Sequence, residues 1–144
     1  MKNLVEILSH DADGYRPLVD YESWRVALLN SAEELQPENI DYVQRHDFTD
    51  EVFVLLAGCC ILFLYGDNPD GLGECEAVRL WPGILYNVKK GVWHTHALTP
   101  GSKVLVVENR DTTNDNSPIV PLDALKRQEL VRAAAFVFDQ ESVC

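Results

Sequence analysis

Two short stretches hold three of the four histidines, residues 44–58 (QRHDFTDEVFVLLAG) and residues 83–96 (GILYNVKKGVWHTH). Each couples a strand-like apolar run to a tight turn. In the second, Lys89-Lys90-Gly91 breaks two extended runs. If the following run is a strand, His94 and His96 project from one face, because successive side chains alternate. Ahead of the first stretch, Ile40, Tyr42, Gln44 and His46 share one parity while Asp41, Val43 and Arg45 take the other. That alternation is the mark of a half-buried strand, and it predicts that the first four face an interior. His46 and Glu51 are an odd number of residues apart, so one straight strand would send them to opposite faces. Residues 47–50 read instead as a reversal, and a hairpin brings both to the same interior.

An inward histidine, an inward carboxylate and a second inward histidine from a distant strand are the ligand types of a divalent transition metal. Their nitrogen and oxygen donors suit Zn, Mn, Fe(II) or Ni better than a soft-ligand metal. The plainer account is a pair of histidines satisfied by their neighbours inside a barrel. Glu51 weighs against it, because an inward carboxylate protonates unless a metal, Arg79 or a hydroxyl stands nearby. His96 shares the parity of His94 and, with Glu51, is a candidate for moving protons, since an ordinary imidazole titrates near neutrality. Arg79, Trp81, Tyr86 and Glu108 lie on neighbouring expected strands and are candidate substrate contacts. Their facing stays open, and Trp81, Trp93 and Tyr86 fit core packing equally well.

These residues resemble the cupins. The first cupin motif runs G-x5-H-x-H-x(3,4)-E-x6-G, and His46, Glu51 and Gly58 match its second half in spacing. Gln44 stands where the first histidine belongs. The second motif runs G-x5-P-x-G-x2-H-x3-N, matched by Gly83, Gly91 and His94, with Lys89 in place of the proline and Leu98 in place of the asparagine. The GVWH segment is also similar to ureidoglycolate lyases, which share the fold. The likeness covers about residues 40–110 and is to small single-domain, RmlC-like cupins. It implies an all-β fold, an antiparallel barrel or jelly roll that buries a pocket between its faces. It also implies a metal site of Gln44, His46, Glu51 and His94, in which the Gln44 amide oxygen is a weaker ligand than imidazole.

Strands must position these side chains, and the chain of 144 residues is long enough for one domain, 1–144, with its own core. Residues 1–14 read as a short helical or irregular lead, and residues 24–29 as a strand. Ser31 with Glu34 forms a capping pattern that Pro37 cuts short. Residues 51–65 are apolar throughout, with Gly58 joining two strands. Apolar character on both faces predicts cover by a second sheet or a second subunit, hence a homodimer. Residues 66–74 are dense in turn formers and read as an exposed loop. Strands are expected at 77–81 and 103–109, then a long connection over 110–121. Asp123 caps a helix over 123–137, with Leu125, Leu130, Ala133, Ala134 and Val137 on one face, packed outside the barrel.

Composition narrows the partners. The net charge of −11, with only twelve Lys and Arg residues, argues against nucleic acid. No apolar run approaches the roughly 18 residues of a membrane span. The N-terminus lacks the pattern of a secretory signal, so a cytoplasmic protein is expected. Four cysteines form no ligand pattern and no expected disulfide framework; Cys59 and Cys60 read as small buried hydrophobes. There is no serine elbow, P-loop or dinucleotide fingerprint. Two functions remain open: a metal-dependent lyase, isomerase or hydrolase acting on a small hydroxy acid, ureido compound or sugar, or a metal-free cupin that binds a small ligand or regulates.

Overall fold

Period-two burial runs through the strands and decides which residues reach the interior. The computed structural model describes residues 4–139. Among these residues ten strands and one α-helix follow in order, with three single-turn 3-10 helices between them: β1 Gly14–Tyr21, β2 Trp24–Asn30, β3 Tyr42–Gln44, β4 Glu51–Ala57, β5 Cys60–Asn68, β6 Gly71–Arg79, β7 Tyr86–Val88, β8 Trp93–Leu98, β9 Lys103–Asn109, β10 Ile119–Pro121 and α1 Ala124–Asp139. They form two five-stranded sheets, β1-β2-β9-β4-β7 and β10-β3-β8-β5-β6. Every pairing is antiparallel. This is the expected antiparallel β-barrel of jelly-roll type with a C-terminal helix.

Alternation on β4 sends Glu51, Phe53 and Leu55 inward, and on β9 it sends Val104, Val106 and Glu108 inward. These meet Ala27, Leu29, Leu62 and Leu98 in a core between the sheets. Val52 pairs with Val107, so Glu51 and Glu108 enter the barrel at the same end of neighbouring strands. That places two carboxylates at one mouth of an otherwise apolar interior.

β5 is buried on both faces, and its second face is covered from within the chain. Ile61, Phe63 and Tyr65 pack with Val43, Leu130 and Ala134 in a second core beneath α1. Fully burying one such side chain is worth roughly 1.5–3 kcal/mol, so this contact anchors the helix. The doubly apolar run therefore needs no second subunit. Asp123 caps α1 as expected, its Oδ1 accepting from the Lys126 amide at 2.8 Å. Leu125 departs from the expected face and is 60% exposed.

Gly58 closes the β4–β5 hairpin at φ +74. A Cβ there would stand 2.7 Å from Ser102 Cα, so only glycine fits. The expected loop over 66–74 is instead mostly strand, because β5 runs on to Asn68 and pairs with Gly71. Only Pro69 and Asp70 turn, with the Asp70 amide donating to Asn68 Oδ1. β1 was absent from the expectation because Pro17 breaks its pattern; an edge strand of the first sheet tolerates it. Cys60 and Cys75 are free thiols, and Cys144 lies outside the described residues. No described helix is long and apolar enough to cross a membrane.

Candidate metal centre

His46 follows β3, Glu51 opens β4 and His94 lies on β8, and all three are buried. Their ligand atoms lie within 4.8 Å of one another. Glu51 Oε2 is 2.9 Å from His46 Nε2 and 2.9 Å from His94 Nε2. The two segments are tied together: Gln44 pairs with His94, and the Gly91 amide donates to the His46 carbonyl at 2.8 Å. Asp50 adds a clamp, accepting from the Lys90 amide at 2.8 Å and from Lys89 Nζ at 2.6 Å.

The far nitrogens decide what the near ones can offer. His94 Nδ1 is 2.9 Å from the Val92 carbonyl, which can only accept, so Nδ1 carries the hydrogen. His46 Nδ1 is 2.8 Å from Ser117 Oγ, and that hydroxyl is placed to donate to Asn116 Oδ1. Both rings thus turn an Nε2 lone pair toward one carboxylate oxygen when neutral. Three buried acceptors facing one point repel each other unless a proton or a cation sits among them. Two neutral imidazoles and a carboxylate are also a fitting donor set for zinc and its neighbours.

Without a metal, protons fill this role. Burial pushes the Glu51 carboxyl up, but hydrogen bonds and charge from His46 and His94 outweigh it and hold it at about 2. Burial likewise opposes the charged form of His46, and the Glu51 contact wins, raising its pKa. Glu108 goes the other way: burial, then the charge of Glu51, push it up to about 7. Its Oε1 accepts from the Tyr15 hydroxyl.

No family model and no curated protein sequence matches the chain. Solved structures do match. A cupin-2 domain containing protein from Shewanella frigidimarina aligns with a TM-score of 0.52 at 20% identity, over 70% of this chain and 85% of that one. The fold is that of the cupins. A Streptomyces PAC13 variant with uridine gives 0.55 at 12% identity, over 83% and 87% of the two chains. A QdtA 3,4-ketoisomerase double mutant from Thermoanaerobacterium thermosaccharolyticum, in complex with TDP, gives 0.52 at 19% identity, over 79% and 74%. At such identities the likeness carries the fold, and the chemistry has to come from the cupin barrel's own side chains.

Within this cupin barrel the remaining expected residues divide. Gln44, Glu51 and His96 line both cavities beside the cluster, one of about 130 Å³ and one of about 300 Å³. Gln44 donates through Nε2 to the Ser117 carbonyl at 3.3 Å. His96 packs on Phe53, and burial pushes its pKa down to about 4. Burial thus favours the neutral ring over the charged one. Glu108 lines the larger cavity. Arg79, Trp81 and Tyr86 line neither. They form a cluster of their own, the Arg79 guanidinium 4.4 Å over the Trp81 ring and the Trp81 amide donating to Tyr86 Oη. Tyr86 also packs against the inter-sheet core.

Tyr42 lines both cavities as its parity predicts, but at 49% exposure it stands at the mouth. Val43, of opposite parity, is fully buried under α1. Ser117 and Tyr15 were missed. Ser117 lies 71 residues from His46 in a polar connection, and Tyr15 sits on the unforeseen β1. No local spacing signals either.

Proposed function

We propose that this chain is a small-molecule cupin enzyme that holds a divalent transition metal, Zn, Mn, Fe(II) or Ni, on His46, Glu51 and His94, with Gln44 beside them. Its reaction is a lyase, isomerase or hydrolase step on a small hydroxy acid, ureido compound or sugar-type molecule. One observation carries the reading: three buried acceptors converge on a point, and the hydrogen bonds behind both rings aim their lone pairs at it. A bound divalent ion supplies Lewis-acid polarisation of a substrate oxygen.

The chain's own groups do the rest. Ser117 and Val92 fix the imidazole rings, and Glu51 keeps its negative charge. Glu108, whose carboxyl is pushed up to about 7, is suited to hold or release a proton at its carboxyl oxygens. Tyr15 orients that carboxyl through its hydroxyl. His96 stays neutral and offers a hydrogen bond.

The metal-free binding module remains the second reading, favoured by Gln44 where a histidine would strengthen the site. Titration calorimetry with Zn, Mn and Ni on untagged protein separates the two. Wild type should take up one ion, and His46→Ala combined with His94→Ala should abolish uptake while circular dichroism stays β-rich. No uptake by wild type refutes the enzyme reading as stated.

A further inference from the structure

The charge of the cavity walls selects what can enter. Glu34, Gln44, Glu51 and His96 belong to the walls of both cavities, and Asp41 and Glu108 add a carboxylate each to one. Among the described residues no Lys or Arg lines either. The cations nearby are each paired with a carboxylate, and the Arg25 charge also reaches Tyr15 and Glu108 of the larger cavity. Arg25 is paired with Asp20 at 2.8 Å, Arg45 with Asp47 at 2.8 Å, and Lys89 with Asp50 at 2.6 Å. The chain as a whole carries −11, which extends the same sign outward.

We propose that this site takes an uncharged, hydroxyl-rich molecule and turns away carboxylates and phosphates. The proposal rests on the metal-enzyme reading for calling that molecule a substrate, and it narrows the range there to the neutral ureido and sugar-type members. A divalent ion on Glu51 leaves one net positive charge, which the Glu34 carboxylate offsets and Glu108, pushed up to about 7, offsets in part, so an entering anion finds no unpaired cation. Each unpaired carboxylate within several ångströms costs an anion roughly tenfold in affinity in a partly buried site. Hydroxyl groups meet the opposite situation. They donate to Glu34, to Glu108 and to the oxygen of Gln44. His96 Nδ1 is buried without a hydrogen-bond partner, and a ligand hydroxyl satisfies it. Tyr42 and Leu35 give the apolar face that the C–H side of such a molecule packs on. The larger cavity, about 300 Å³, is at the small end of ligand pockets, which run roughly 300–1,000 Å³.

Saturation-transfer NMR with a matched set, glucose, ribose, glucuronate and glucose 6-phosphate, tests the charge preference on both metal-free and zinc-loaded protein. Glucose or ribose should show transfer and the two anions should not. Glu34→Gln combined with Glu108→Gln should raise the signal of glucuronate relative to glucose at least several-fold. Stronger transfer to either anion than to glucose in wild type, no transfer to either neutral sugar, or an unmoved ratio in the double variant overturns the proposal. Failure of the metal reading shows separately, as absence of zinc uptake by calorimetry, and the metal-free arm still measures the preference.

Discussion

Replacing Glu51 by glutamine in metal-free protein should remove a block of stability with a defined pH window. The Glu51 carboxyl falls from its ordinary 4.5 to about 2 in the folded chain. At roughly 1.4 kcal/mol per pH unit, that depression is worth about 3 kcal/mol. Because the folded value lies below the unfolded one, this stability is fully present above about pH 4.5 and is lost as pH falls through about 2. His46 sees the same contact from the other side. Its pKa is raised, so its share is complete below its ordinary value of about 6.5 and is lost as pH rises through the raised value. The contact is counted once, and its full strength lies between about pH 4.5 and 6.5.

Urea unfolding of chelator-treated wild type and Glu51→Gln, from acid to mild alkali, reads this difference directly. Wild type should exceed the variant by about 3 kcal/mol in that window, with the gap shrinking on both sides. Above neutrality the variant should close the gap faster than loss of charge alone requires, since its amide N–H donates to one of the Nε2 lone pairs. Added zinc at pH 8 should restore the advantage of wild type only. A gap that does not change with pH, or one that widens in acid, would refute the electrostatic reasoning.

Other perturbations test the supports around the cluster. Ser117→Ala removes the hydroxyl behind His46 and should weaken zinc binding about 10–100-fold by calorimetry, with little change in melting temperature. Leu130→Ala, at a fully buried position under α1, should cost about 2–5 kcal/mol in denaturant unfolding while zinc uptake persists. Gly58→Ala forces a Cβ against Ser102 at a left-handed position and should cost at least about 1–2 kcal/mol by the same measurement. Equal stability of that variant and wild type would contradict the hairpin geometry.

The sequence carried the barrel and the convergence of His46, Glu51 and His94 because both depend on strand alternation, with a reversal over residues 47–50 for Glu51. Along β4 and β9 that pattern is clean in the structure and turns Glu51 and Glu108 inward, whereas from the sequence the facing of Glu108 stays open. On β3 it holds for direction and fails for burial. Tyr42 faces the cavity yet stays half exposed, while Val43 is sealed by a helix some 80 residues later in the chain. Parity says which side a residue takes and nothing of what covers that side. The same gap produced the homodimer argument from β5, where α1 supplies the cover. Arg79, Trp81 and Tyr86 line neither cavity beside the cluster, since neighbouring strands do not imply the same end of the barrel. His96 had the right direction, but its titration depends on burial that only the packed interior sets.

Two departures from the cupin motifs fit the contacts around them. A proline at position 89 would stiffen the turn before His94 by fixing its own φ. Lys89 instead reaches Asp50, whose other oxygen takes the Lys90 amide, so the turn is held against the loop that delivers Glu51. Together with the Gly91 amide on the His46 carbonyl, this fastens the two ligand-bearing segments to each other rather than stiffening one alone. Gln44 extends the pattern on the far side. It pairs with His94 in the sheet and donates to the carbonyl of Ser117, whose hydroxyl orients His46. A weak ligand by its amide oxygen, Gln44 is well placed as a brace between both imidazoles. Under the metal-site proposal, a glutamine in place of a histidine at this position trades a strong donor for orientation of His46 and His94.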